Sequence, residues 1–240
     1  MKCIILCAGY GTRLGELSEN TAKSLLSIKG RPLLENILEK VSKIDIDEII
    51  IITNAKFYDN FQKWVDKSNY KIKITLINDG TTSNENRLGT LADINLALDM
   101  IDDDFMLIYG DNFSNFDLLR PYDLYKSKDS SVMILFDVGL EKAKRLGVIT
   151  LDENKKIIAF DEKPEHPKSS LCCAGIFIFK KDVKDDMKLI LAKDKTYGAM
   201  LNFLLYWIEN KPVFGSAFDN KNYYFIDVGV PEALEMANNM

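Results

Sequence analysis

A single histidine, four cysteines, six prolines and no excess of positive charge set the first limits on this chain of 240 residues. The histidine is His166, between Glu165 and Pro167. That context reads as an exposed loop, so Ser-His-Asp and Cys-His chemistry, which need an imidazole base, have no support. The cysteines stand at positions 3, 7, 172 and 173. This spacing makes neither a metal-ligand motif nor a disulfide framework, and free thiols in a reducing, cytoplasmic setting are expected. The net charge of −5 argues against a general affinity for nucleic acid. The first apolar run breaks at Gly9-Tyr10-Gly11-Thr12-Arg13. It is far shorter than the roughly 20 residues of a membrane span and lacks a signal-peptide cleavage pattern. No membrane association is expected. No linker rich in Pro, Gly or Ser divides the chain, and no internal repeat is visible.

What is present is a pattern of alternating elements. Cys3 to Cys7 is a compact apolar strand. Pro32 opens a segment in which Leu33, Leu34, Ile37, Leu38 and Val41 recur at helical spacing. Glu48 to Thr53 contains the run Ile49-Ile50-Ile51-Ile52, the composition of a strand buried on both faces. A helix over Phe57 to Val65, a strand over Ile72 to Ile77, a helix over Leu91 to Ile101 and a strand over Phe105 to Tyr109 follow. This β-α-β-α order predicts an α/β fold with a doubly wound, mostly parallel sheet.

The second half predicts strands at Ser131 to Phe136 and Ala174 to Lys180, and a hairpin around Asp152-Glu153-Asn154. Helices are expected near Asp182 to Ala192 and Gly198 to Glu209. Trp64, Phe203, Tyr206 and Trp207 lie at helical spacing and read as core. The helix near Ala199 to Ile208 is also apolar enough for a homo-oligomer interface. The chain reads as one domain, residues 1–240, with a small β lobe added to the parallel sheet.

The loop Leu6-Cys7-Ala8-Gly9-Tyr10-Gly11-Thr12-Arg13-Leu14 follows the first strand directly. Glycines there permit unusual backbone angles and let amides approach a ligand closely. A dinucleotide fingerprint needs a third glycine at position 14, where leucine stands, and an acid after the second strand, where Asn54 stands. A Walker A loop needs Gly-Lys-Ser/Thr after four spacers, which is absent.

The pattern Gly-x-Gly-Thr-Arg-Leu (9–14), with Lys23-Ser24-Leu25-Leu26 and Gly30-Arg31-Pro32-Leu33 after it, resembles the opening signature of the sugar-1-phosphate nucleotidyltransferases. The resemblance extends across the chain. Thr81 to Thr90 is similar to the family's base-reading loop, and Tyr109-Gly110-Asp111-Asn112 to its metal-binding element. Gly147-Val148-Ile149, Phe160-Asp161-Glu162-Lys163-Pro164 and Ala174-Gly175-Ile176-Phe177 resemble its sugar-side motifs. Asp227-Val228-Gly229-Val230-Pro231-Glu232 is similar to its closing element. The loop from Asn78 to Gly89 looks like that of the glucose-1-phosphate thymidylyltransferase-like subgroup.

The resemblance implies a Rossmann-like fold, with about 1–130 binding nucleotide and about 131–240 binding sugar phosphate. It implies Mg2+-dependent attack of a sugar-phosphate oxygen on the α-phosphorus of a nucleoside triphosphate, dTTP or UTP, with pyrophosphate leaving. By that analogy Arg13 and Lys23 are catalytic, supplying fixed positive charge to a reacting centre that becomes more negative. Leu6, Ala8, Gly9, Gly11, Thr12, Asn84 and Gly89 would bind the nucleotide. Gly147, Glu162, Lys163 and Gly175 would bind the acceptor, and Asp111 and Asp227 the magnesium ion, which prefers hard oxygen ligands. The chain departs from the pattern at Ala22, where proline is usual before the lysine, at Leu146, where an aromatic residue is common, and at Val230, where threonine is common. Two other readings stay open: a CTP-dependent cytidylyltransferase acting on phosphocholine or a related phospho-alcohol, and a non-catalytic nucleotide or sugar-nucleotide sensor.

Overall fold

The computed structural model describes residues Met1–Met240. Strand β1 (Lys2–Leu6) leads through the glycine loop and two 3-10 turns into a short hairpin, β2 (Ser27–Ile28) and β3 (Arg31–Pro32). Then come α1 (Leu33–Val41), β4 (Glu48–Thr53), α2 (Tyr58–Lys67), β5 (Lys73–Asn78), α3 (Thr90–Leu98) and β6 (Phe105–Tyr109). The second half holds β7 (Asn112–Ser114), α4 (Leu119–Lys128), β8 (Ser131–Asp137), α5 (Leu140–Ala143), β9 (Gly147–Leu151), β10 (Ile157–Glu162) and β11 (Leu171–Phe179). It closes with α6 (Val183–Lys193), α7 (Ala199–Asn210), β12 (Val213–Phe218), β13 (Phe225–Asp227) and α8 (Pro231–Asn239). No helix is long and apolar enough to cross a membrane.

Nine strands form one sheet in the order β10-β9-β11-β6-β1-β4-β5, with β8 and β12 joined beside β11. β6, β1, β4 and β5 run parallel, so their carboxyl ends share one edge, where ligands bind in such sheets. The Ile49–Ile52 run shows why helices must cover both faces. Successive side chains of a strand point to opposite sides. Ile49 and Ile51 pack with Leu34, Leu38 and Phe61 of α1 and α2. Ile50 and Ile52 pack with Leu91, Ile94, Met187 and Trp207 of α3, α6 and α7. Burying each isoleucine side chain is worth about 1.5–3 kcal/mol.

The second half turns antiparallel. β11 pairs antiparallel with β6, β8 and β9. A bulge between Cys173 and Phe177 breaks its register with β8. The expected hairpin is β9–β10, its turn fixed by Asp152 Oδ1 accepting from the amides of Asn154 and Lys156, both at 2.8 Å. All four cysteines are free, and His166 is exposed. Helix α7 turns Phe203, Leu204 and Trp207 into the core, so most of its apolar character serves the fold.

One cross-strand charge cluster fastens the amino ends of the parallel strands. Glu48 on β4 stands in register with Lys2 on β1 and Lys73 on β5. The carboxylate is nearly buried, 3.2 Å from Lys2 and 2.8 Å from Lys73, and it accepts from Thr75 Oγ1 at 2.6 Å. These hydrogen bonds, from Lys73, Thr75 and Lys2, hold its pKa down to about 2 against the cost of burial. A depressed carboxylate stabilises the fold above its unfolded value of about 4.5 and loses that contribution as pH falls through about 2. Glu48→Gln should therefore lower the unfolding free energy by about 2 kcal/mol at pH 7. In urea titrations the gap between wild type and variant should close as pH drops from 4.5 toward 2.

Candidate functional site

The loop after β1 is held from behind. Cys7 donates its amide to the Ile52 carbonyl at 2.7 Å, and Gly110 donates to the Leu6 carbonyl at 2.9 Å. Asn54, at the end of β4, is fully buried and donates to the Ala8 carbonyl at 2.8 Å. Gly11 takes a φ of 63°, and its carbonyl accepts from Ser18 Oγ at 2.7 Å. A side chain at Gly11 would meet Ser18 at 3.0 Å, so both the angle and the space call for glycine. The amides of Ala8 through Arg13 find no acceptor within the chain. Such a row of free N–H groups in a tight loop is an anion-binding concavity.

Two carboxylates stand opposite this loop. Asp111 follows β6, and Asp227 ends β13. β13 pairs antiparallel with β7, placing Asn112 across from Asp227, and the Val228 amide donates to the Asp111 carbonyl at 2.9 Å. This two-stranded ribbon carries both acids. Lys23 reaches between them, 2.5 Å from Asp111 Oδ2 and 3.9 Å from Asp227 Oδ1. Partial burial and the charge of Asp111 raise the Asp227 pKa, while Lys23 and Arg13 pull it back. Arg13 lies over Gly229, where an added Cβ would come within 2.7 Å of its Nη2. Arg13, Lys23, Asp111 and Asp227 thus converge from four separate parts of the chain.

No three His, Cys, Asp or Glu side chains gather into a ready cage. A hard divalent cation is commonly held by one or two carboxylates together with substrate phosphates and water. Asp111 and Asp227 fit that donor set.

Two cavities meet at Asp111. The first, about 310 Å³, is lined by Leu6, Ala8, Gly9, Gly89, Tyr109 and Asp111, among others. The second, about 680 Å³, shares Tyr109 and Asp111 and continues past Gly147, Glu162, Gly175 and Asp227. Gly175 sits in the β11 bulge at φ 67°, and a Cβ there would lie 2.8–2.9 Å from Asn112 and the Tyr109 ring. Gly147 faces Glu162 across the β9–β10 pair. A Cβ at Gly147 would fall 2.5 Å from the Phe160 ring and 3.2 Å from Glu162 Oε2. Burial pushes the Tyr109 phenol up, with Cys173 and Asp111 adding to the effect, so it stays a neutral wall between the cavities.

Three expected residues stand apart. Asn84 lines a neighbouring polar cleft with Tyr10, Thr12 and Lys56, and its Oδ1 accepts from Arg87 at 2.7 Å. Thr12 lines that same cleft. Lys163 is largely exposed, with Nζ 3.4 Å from Glu162. Other residues were not foreseen: Asn54, Asn112, Arg87 stacked over the Tyr197 ring at 4.3 Å, and Asp93 in the first cavity. The signal available for Asp93 was its place in the first helical turn after Gly89-Thr90. Gly175→Ala should cost about 2–3 kcal/mol, because the left-handed angle and the overlap with Asn112 and Tyr109 both resist a side chain. Urea unfolding of the variant measures it.

The family model described as nucleotidyl transferase matches residues 2–240. The bifunctional protein GlmU of Methanocaldococcus jannaschii is 32% identical over 99% of this chain and 53% of its own length. The GlmU of Methanococcus aeolicus is 30% identical, with 99% and 54% covered. The chain thus spans about half the length of the curated relatives it matches. Among solved structures, an apo UDP-glucose pyrophosphorylase superposes with a TM-score of 0.85 at 19% identity, covering 100% of this chain and 97% of that one. A protein assigned as a glucose-1-phosphate thymidylyltransferase from Bacillus anthracis gives 0.81 at 24% identity, covering 100% and 94%. These likenesses, below 25% identity, show a shared fold. With the family model spanning nearly every residue, the chain belongs to the nucleotidyl transferase family.

Proposed function

We propose that this chain transfers a nucleoside monophosphate from UTP or dTTP to a sugar 1-phosphate, with Mg2+, releasing pyrophosphate and an NDP-sugar. The observation that carries this reading is the meeting of the two cavities at Asp111. A donor in the smaller cavity and an acceptor in the larger one would present their phosphates to each other at that carboxylate. The names of the relatives and structural neighbours, a GlmU and pyrophosphorylases of sugar nucleotides, support the same chemistry. On this reading residues 1–240 act as one unit, with about 1–130 serving the donor and about 131–240 the acceptor. The free thiols agree with a cytoplasmic setting.

The reaction joins two anions, so positioning and charge dominate the barrier. The free amides of Ala8 to Arg13 and the Arg13 guanidinium would hold the triphosphate. Lys23, placed between the acids, would keep cationic charge beside the α-phosphate. Gly147 and Gly175 line the acceptor cavity, where Glu162 would meet the acceptor hydroxyls. Lys163, exposed and close to Glu162, is free to swing toward the acceptor phosphate. A magnesium ion bound by Asp111 and Asp227 would neutralise charge shared between the phosphates.

One observation favours a second reading. The acceptor cavity is lined by aromatic rings, including Phe136, Phe160, Tyr223, Tyr224 and Phe225, which also suit the cationic head group of phosphocholine. Pyrophosphate release, measured with magnesium across triphosphates and acceptors, separates the two. Turnover with a sugar 1-phosphate supports the first, and turnover confined to CTP and phosphocholine supports the second. Asp111→Asn should lower turnover at least about a hundredfold without changing the unfolding midpoint. Gly229→Ala should also lower turnover at little cost in stability, because its Cβ would push on the flexible tip of Arg13 and on the Asp227 carboxylate rather than on backbone.

A further inference from the structure

One side chain on the wall of the donor cavity has no task in the reaction above. Asp93 lies in the first turn of α3, beside Gly89 and Thr90. Its Oδ1 is buried and has no hydrogen-bond partner, and no ion pair holds the carboxylate. A buried acceptor left unpaired is costly, and the groups around it offer no relief. Asp79, beyond β5, adds negative charge. Tyr10, from the glycine loop, is engaged with Thr81 at 2.8 Å. Arg87 stacks over Tyr197, which precedes α7, and Asp111 is held by Lys23. On α6, Lys188 pairs with Asp99 and Lys184 with the Ile101 carbonyl, both beyond the other end of α3. β1 and β4 place Ile4, Ile50 and Ile52 against α3, and on that face Lys2 and Glu48 pair with each other at the far end, beside Met100. Burial, and then the charge of Asp79, push the Asp93 carboxyl up to about 7.

A carboxylic acid that keeps its proton offers one O–H donor beside one carbonyl acceptor. Asp111, shared with the acceptor cavity, marks where the phosphates react, which leaves the Gly89–Asp93 wall for the nucleoside. The cap of α3 makes no side-chain hydrogen bond, so its first amides remain open to a base carbonyl. Resting on the nucleotidyltransferase reading, we infer that Asp93 is a base-reading residue that, as a neutral acid, pairs with the imide edge of uracil or thymine. The base carbonyl accepts the acid O–H, and the imide N–H donates to the acid carbonyl. Guanine presents two adjacent donors on the equivalent edge, one of which would face the acid O–H. The ionised carboxylate would instead welcome guanine and repel the imide oxygens.

The test measures binding by calorimetry, with magnesium, of UTP, dTTP, CTP and GTP to wild type, Asp93→Asn and Asp93→Ala at pH 6 and pH 8.5. Asparagine carries the same donor and acceptor as the neutral acid but does not titrate. UTP and dTTP should bind about tenfold more weakly to Asp93→Ala than to wild type at pH 6, the loss of one to two hydrogen bonds. Asp93→Asn should keep the wild-type affinity at pH 6. Relative to Asp93→Asn, which cancels titration of the triphosphate itself, wild type should lose several-fold in UTP affinity at pH 8.5. Urea midpoints of both variants should not fall, because each removes a buried unpaired acid. The inference is overturned if Asp93→Ala binds UTP as wild type does. It is equally overturned if wild type prefers GTP and Asp93→Asn loses that preference. Failure of wild type to bind any triphosphate at millimolar concentration would instead remove the nucleotidyltransferase reading, and Asp93 with it.

Discussion

Two carboxylates brought to one spot repel each other, and the arrangement of this site follows from how that repulsion is met. Asp111, just before β7, and Asp227, the last residue of β13, are brought together by the pairing of those two strands. Lys23 enters between them from a turn far earlier in sequence. A lysine is a compact charge on a flexible stem, able to balance two acids without the fixed fork of an arginine. The surrounding glycines make sense against this demand. Gly110 lets the backbone before Asp111 pass within contact of Cys7, Leu6 and Ser24, and Gly229 leaves room for Arg13 beside Asp227.

The two cavities on either side of this pair differ in kind. On the donor side the lining joins the loop backbone at Ala8, Gly9 and Gly89 to the polar side chains of Arg87, Asp93, Tyr109 and Asp111. On the acceptor side it is mostly side chain, and mostly aromatic or aliphatic. Backbone amides recognise what all triphosphates share, whereas side chains recognise what distinguishes one acceptor from another. The division matches the sheet, in which the parallel strands contribute loops and the antiparallel strands contribute faces.

The parallel half was legible because its signals are local. Four consecutive isoleucines have one reading when helical segments flank them, and β4 is buried on both faces as expected. The second half was legible only in part. Helix α4 buries just Pro121 and Tyr125, so its apolar period is faint. Strand β12 is interrupted by Gly215 and Ser216, and its pairing with β8 links residues some 80 positions apart. Helix α8 did leave a sign, Pro231 at its first turn followed by Glu232. Within the site, Arg13, Lys23, Asp111 and Asp227 lie close together in the folded chain, while Lys163 stands apart. Asn84 does not join Gly89, because the short turn between them sends its amide toward Arg87. Asp93 carried only the faint signal of its place in the first turn of α3, since burial and the lack of a partner belong to the folded chain alone.

The wall common to both cavities has one more consequence. Tyr109 and Asp111 face whatever occupies either side, so the two ligands are not independent. If the first to arrive changes how these side chains meet the second, thermodynamic linkage requires the second to alter the affinity of the first by the same factor. Reciprocity of this kind needs no moving domain and no distant site; it is a property of a shared partition.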